Sequence, residues 1–210
     1  MTGDSGTTGR SGKRCGAPRL TPAGLRILDT ASRLFYEQGI RAVGVEAIAE
    51  EAGVTKKTLY DRFGSKEDLI LAYLRARDER WRSTLVRYVE ARGGTPEEQL
   101  LATFSALRDW MRECNPRGCA FVNAYVELPA DHPGQGVARE QKAWLMGYLA
   151  ELATAAGADD PAALAGQLLI LHEGACIANS MRSVERAAER ARSMAAVLIE
   201  KSLSQHTATP

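Results

Sequence analysis

The chain has 210 residues, of which 45% are hydrophobic, 25% charged and only 6% aromatic. This composition excludes a chain disordered throughout, and no uninterrupted apolar stretch approaches the roughly 18–20 residues that span a bilayer. A net charge of +1 speaks against a general nucleic-acid coat protein, which is markedly basic.

The charge is unevenly spread. Residues 1–65 hold 10 basic and 7 acidic side chains, whereas residues 66–210 hold 17 and 19. The excess comes from Arg10, Lys13, Arg14 and Arg19, set against Asp4 alone in the first 20 residues. Residues 1–20 carry almost nothing apolar to offset ordering entropy, so they read as a flexible basic arm that can add a minor-groove or phosphate contact. The string Gly3-Asp4-Ser5-Gly6 matches a serine-protease nucleophile loop, but no core stands there to orient a base. No apolar run of about 7–15 residues follows the first charges, so no secretory leader is expected. The expected compartment is then the reducing cytoplasm, with Cys15, Cys114, Cys119 and Cys176 as free thiols.

From residue 21 onward the signals are helical. Thr21-Pro22, Thr95-Pro96 and Asp160-Pro161 each place a side-chain oxygen at an N-cap and a proline at the first helical position. Glu98 completes a capping box, and Ser65-Lys66-Glu67-Asp68 is a weaker start of the same kind. Gly39, Gly53, Gly64, Gly93-Gly94 and Gly157 are stop signals. The pattern predicts nine helices, over residues 22–38, 45–52, 55–62, 66–92, 96–113, 118–129, 135–156, 161–181 and 183–203. In the first, Leu25, Leu28, Ala31 and Phe35 form the apolar face, widened by Ile27 and Leu34. Two-residue alternation is missing, so the expected fold class is all-α.

The informative segment is residues 44–66. Val45, Ile48, Ala49 and Ala52 make the inner face of one short helix, Gly53 turns the chain, and Val54 and Leu59 pack a second helix back onto it. That is a helix-turn-helix. Thr55, Lys56, Lys57, Thr58, Tyr60 and Arg62 give the second helix a polar and basic surface able to enter a major groove. Lys66 opens the next helix, where free N–H groups also favour phosphate. On the residues alone, a helical hairpin with a solvated face is the competing reading.

Residues 24–74 resemble the DNA-binding domain of the TetR family of one-component transcriptional regulators. The likeness runs through Ile27-Leu28-Asp29-Thr30-Ala31-Ser32-Arg33-Leu34-Phe35, Gly39-Ile40-Arg41-Ala42, Ile48-Ala49-Glu50-Glu51-Ala52-Gly53-Val54 and Thr58 to Leu69. The resemblance implies a dimeric regulator with a helix-turn-helix head over residues 21–66, a helical ligand-binding and dimerisation domain over 67–204, and a tail over 205–210. It also implies that Thr55, Lys56, Lys57 and Thr58 face the groove or nearby phosphates, that Tyr60 and Lys66 hold phosphates, and that Arg62 touches the backbone. Gly44 stands where relatives often carry a Ser or Thr cap, so any contact there is made by backbone N–H. Lys57 stands where many relatives have a small residue; it can read guanine or merely attract phosphate.

The remaining chain holds no sequence-specific chemical motif, and the resemblance makes it the inducer-sensing half. Residues 115–128 resemble a subgroup of the family with Gly-Cys-x-x-x-Asn-x-x-x-Glu on the sixth helix. Cys119, Asn123 and Glu127 share one face, pointing into a pocket or capping neighbouring helix ends. Trp81, Trp110, Met111, Phe121, Tyr125, Trp144, Met146 and Tyr148 are candidate pocket walls, with core packing as the alternative for each. His172 and Cys176, four residues apart, also face one side, but two ligands do not make a metal site. Cys114 and Cys119 flank a Pro-Gly turn and are either a redox pair or two inert thiols. Leu164, Leu168, Leu171 and Ala175, with Ala187, Ala191, Met194, Val197, Leu198 and Lys201, are the candidate dimer face; intramolecular core is the alternative.

The expected function is a cytoplasmic homodimeric repressor that binds a pseudo-palindromic operator and is released by a small, mostly apolar molecule. A helical ligand-binding or protein-interaction module without DNA binding is the alternative. No catalytic triad, metal cluster or phosphate loop falls on an ordered element, so neither an enzyme, a cofactor, a metal nor a membrane partner is expected.

Overall fold

The structure, a computed structural model, describes residues 20–203. The basic arm before Leu20, with Cys15 and the Gly3–Gly6 string, and the tail with His206 lie outside the described residues. Among those described there are nine helices and no strand: α1 Pro22–Gln38, α2 Val45–Glu51, α3 Lys56–Phe63, α4 Lys66–Arg92, α5 Pro96–Cys114, α6 Ala120–Glu127, α7 Gly134–Ala155, α8 Pro161–Ser180 and α9 Ala187–Leu203.

The caps form as their residues dictate. Thr21 Oγ1 accepts from Gly24 N–H, Ser65 Oγ from Asp68 N–H, and Asp160 Oδ1 from Ala163 N–H. Thr95 and Glu98 close a reciprocal capping box. Two helices differ from the sequence pattern by more than one residue. Helix α6 is trimmed to Ala120–Glu127, because Gly118 adopts a φ of +81° and Leu128 an extended backbone ahead of Pro129. Helix α9 begins at Ala187 and not at residue 183, since Arg182 and Arg186 both take left-handed backbone.

Helices α1–α4 form the head. Ile27, Ala31, Leu34 and Phe35 of α1 are buried against Val45, Ile48 and Ala49 of α2, Leu59 of α3 and the first turns of α4. Leu25 is the exception: it is exposed, and the buried face is centred on Ile27 and Leu34. Gly53 makes the corner between α2 and α3 with φ +63°, a conformation that would strain a residue carrying a Cβ. Helix α4 then runs 27 residues, about 40 Å at 1.5 Å per residue, and ties the head to the rest. Near its start Tyr73 meets Phe35 of α1, and further along Trp81 meets Trp110 of α5. Helices α5, α7, α8 and α9 pack with the second half of α4 into the larger core.

Most of the expected dimer face is part of that core. Leu164, Leu168, Ala175, Ala187 and Ala191 are buried within the chain, and Leu171 and Leu198 are half-buried. The small side chains allow α8 and α9 to approach each other closely, which uses up the face that sequence spacing marks. What remains open is Met194 and Val197 of that face on α9, together with Ile170, Ile177 and Met181 on α8. Ile170 and Met181 are more than 70% exposed. Helix α8 is long and apolar enough by length and composition to cross a membrane, yet one side of it packs on α7 and α9.

Candidate nucleic-acid interface and regulatory cavity

Helix α3 is held by one fully buried anchor, Leu59, with Val54 and Phe63 half-buried at its flanks. Thr55 is its N-cap: Oγ1 accepts from Thr58 N–H at 3.1 Å and lies 2.9 Å from Thr58 Oγ1. Gly44 caps α2 with extended backbone and no side-chain bond. Tyr60 and Arg62 are exposed.

The lysines of the motif all have partners. Lys56 pairs with Glu46 of α2, which raises the lysine's pKa and lowers the carboxyl's. Lys57 reaches Asp61 one turn on, at 2.8 Å. Lys66 Nζ donates to the Ile40 carbonyl at 2.9 Å and stands 5.9 Å above the Phe35 ring; burial lowers its pKa. The first two pairs are exposed and screened by solvent, so a phosphate can replace the carboxylate at small cost. Lys66 differs: its ammonium also ties the start of α4 to the loop after α1.

A second set of contacts joins the head to the α5–α6 loop, 80 residues away in sequence. Tyr36 Oη donates to the Gly118 carbonyl at 3.0 Å and accepts from Arg117 N–H at 2.8 Å. The Arg117 guanidinium donates to the carbonyls of Tyr36 and Glu37 at the end of α1. Glu127 Oε2 accepts from Arg41 N–H at 3.2 Å, and Asn123 Nδ2 donates to the Arg117 carbonyl at 3.2 Å. Beneath this clasp, Arg77 of α4 stacks on Tyr36 at 4.3 Å and donates to the Cys114 carbonyl and to Asn115 Oδ1. Gly118 is fixed here twice over: its φ is +81°, and a Cβ would come within 3.0 Å of Ser180. Of the polar stripe, Asn123 and Glu127 therefore bond loop and head backbone, whereas Cys119 faces inward. The sequence assigns no role to Arg117, Gly118, Tyr36 or Arg77, because no local spacing connects α1 to a loop so distant.

Inward of the clasp, α4–α8 enclose a narrow cavity of about 30 Å³. Trp81, Trp110, Phe121, His172 and Cys176 line it, with Arg77, Asn115, Cys119, Gln141, Lys142 and Glu173 as its polar members. Phe121 and Lys142 also border an outer groove of about 310 Å³, where Tyr125 stands. The other candidate walls stand elsewhere. Met111 is buried in the core away from the cavity. Trp144 and Tyr148 stack on each other at 5.5 Å under the Arg82 guanidinium, and Met146 meets Gly166 of α8. The four-residue spacing that groups Trp144 with Tyr148 on α7 cannot show which side the cavity occupies.

His172 is fully enclosed. The Thr103 hydroxyl donates to the Leu100 carbonyl at 2.7 Å, so at 3.2 Å it accepts from His172 Nε2–H. Burial, aided by the Lys142 charge, pushes the imidazole pKa down to about 3. Burial likewise pushes the Cys176 thiol up. Among the described residues no three potential metal ligands converge, and Cys114, Cys119 and Cys176 are all free, so the Cys114–Cys119 pair is not joined.

An all-α chain with a helix-turn-helix head, joined through a loop to a larger helical body, has the architecture of a DNA-binding transcriptional regulator. Residues 27–73 match the family model for bacterial regulatory proteins of the tetR family. The chain is 30% identical over 152 residues to the HTH-type transcriptional regulator YjdC of Escherichia coli, covering 70% of this chain and 78% of that one. It is 39% identical over 69 residues, a third of its length and 29% of the relative's, to the HTH-type transcriptional repressor KstR2 of Rhodococcus jostii. Among solved structures, SCO4454 of Streptomyces coelicolor, a TetR-family transcriptional regulator, superposes with a TM-score of 0.76 at 32% identity, covering 87% of this chain and 95% of that one. The chain belongs to the TetR family and is a helix-turn-helix transcriptional regulator.

Proposed function

We propose that the protein is a cytoplasmic repressor that binds a pseudo-palindromic operator as a homodimer and is released when a small, mostly apolar molecule enters its cavity. Repression requires only that the dimer occupy its site. Thr55, Lys56, Lys57 and Thr58 face the groove, Tyr60 and Arg62 meet phosphates, and the Gly44 N–H takes the phosphate beside α2. Lys66 contributes through one of its remaining N–H groups while it keeps Ile40. The exposed stripe Ile170–Met181 and Met194–Val197 supports a two-fold contact between α8 and α9 of two copies, with Leu171 and Leu198 at its edge. Such a dimer must hold its two α3 helices about 34–36 Å apart.

The observation that carries the release step is the clasp. The loop bonded to Tyr36 and Glu37, with Glu127 of α6 bonding Arg41 beside it, is also the wall of the cavity, through Asn115 and Cys119. At about 30 Å³ the cavity has room for one or two waters, so any larger guest displaces that loop and tilts the head. A fluorescence titration of the labelled upstream region of the protein's own gene tests the reading. Saturable binding to a palindrome, weakening with salt, is expected; absence of such binding at low salt overturns it.

A further inference from the structure

The three described cysteines have three different settings. Cys176 is buried on α8 and keeps its proton. Cys114 is half-buried at the end of α5, with an Arg80 nitrogen 3.5 Å from its sulfur. Cys119 is the N-cap residue of α6, and its Sγ lies 3.3 Å from Lys142 Nζ, which is itself 2.7 Å from Glu173 Oε1. All three groups belong to the cavity wall. Burial works against the Lys142 charge, but the Cys119 sulfur and Glu173 outweigh it and hold the ammonium above its ordinary range.

An independent feature of the same cavity points to an occupant. Gln141 is 2% exposed, lines the cavity, and its Oε1 has no hydrogen-bond partner. An orphaned buried carbonyl is unfavourable, and a half-turn of the carboxamide presents its two N–H donors instead. The cavity thus offers a sulfur nucleophile, a cation beside it and an unfilled carboxamide. Lys142 is half-buried and borders the outer groove, which supplies a way in.

We propose that Cys119 is a covalent sensing site for soft carbon electrophiles of the α,β-unsaturated carbonyl class. The sulfur attacks the β-carbon and an S–C bond forms. The π pair of the C=C bond shifts toward the carbonyl, giving an enolate, and the proton released by the thiol ends on the α-carbon. Atoms balance without an oxidant. Lys142 and a rotated Gln141 donate to the enolate oxygen while its charge develops. The regulatory consequence rests on the operator reading above. Cys119 follows directly on Arg117 and Gly118, so an adduct in so narrow a space moves the clasp on α1.

The test treats the full chain with limiting N-ethylmaleimide and follows each cysteine by peptide mass spectrometry. Cys119 is expected to react at least about tenfold faster than Cys114 or Cys176, with Lys142→Met removing about tenfold of that rate and Lys142→Arg retaining most of it. Thermal melts of both variants show whether the fold is kept, and Gln141→Leu gives a second variant expected to slow the same cysteine. Preferential reaction at Cys114, or an unchanged Cys119 rate in folded Lys142→Met, overturns the site. Operator affinity of adduct and unmodified protein is then compared: a loss of about tenfold or more is expected, and equal binding overturns the sensing role. If the unmodified chain binds no operator, the repressor reading falls, while the alkylation rates still decide the site.

Discussion

His172 ties the stability of the larger helical core to pH. In the folded chain the imidazole is 1% exposed, held neutral, and its pKa is pushed down to about 3 by burial and by Lys142. In the unfolded chain it returns to about 6.5. Between those values the unfolded state binds a proton that the folded state refuses, so stability is fully present above pH 6.5 and falls as the pH drops toward 3. Each pH unit inside the window is equivalent to about 1.4 kcal/mol, so moving from pH 7 to pH 5 removes about 2 kcal/mol through this one group. Urea unfolding at pH 7, 6 and 5 measures the slope while most carboxylates stay ionised. His172→Asn keeps a polar group near Thr103 and cannot take up the proton in this range. It loses the ring packing on Phe104, 4.3 Å away, and starts lower at pH 7, yet its stability changes with pH less steeply. Equal slopes for the two proteins would refute the reasoning.

Other expectations follow from the interface and the clasp. Tyr36→Phe leaves the Gly118 carbonyl and the Arg117 N–H without their shared partner; a loss of about 1–3 kcal/mol in urea stability is expected, together with altered operator affinity at unchanged helix content. Asp61→Asn frees Lys57, so operator binding should tighten and its salt slope steepen by about one ion; an unchanged slope means Lys57 makes no phosphate contact. Lys57→Ala should change the preference among operator variants by about 1–3 kcal/mol at one base pair if the lysine reads guanine, whereas uniform weakening assigns it to phosphate. Ile170→Asp places a charge in the exposed stripe of α8 and should yield a monomer in sedimentation; a persisting dimer moves the contact elsewhere.

The local half of the fold was readable from the chain, and the tertiary half was not. Caps such as Thr95 with Glu98, and the Gly53 corner, act within one turn of backbone, so residue type and spacing determine them. The helix-turn-helix was visible for the same reason. Leu164, Leu168 and Ala175 show the opposite case: periodicity finds an apolar face but not whether the same chain or another covers it. Gln141, Lys142 and Glu173 stand out only when α7 and α8 bring them to Cys119. Tyr36 carries no local signal at all, because its hydroxyl finds its partners 81 and 82 positions away.

Those long-range bonds bear on how far the protein is modular. A graft of residues 21–66 onto another core would carry the recognition helix but leave behind Arg117, Gly118 and Glu127, and with them the bonds that orient the end of α1. A chimera made at that sequence border inherits a specificity without its steering. One that also transplants residues 115–127 and the Arg77 turn of α4 keeps the joint intact, so the inheritable part is a discontinuous piece of chain.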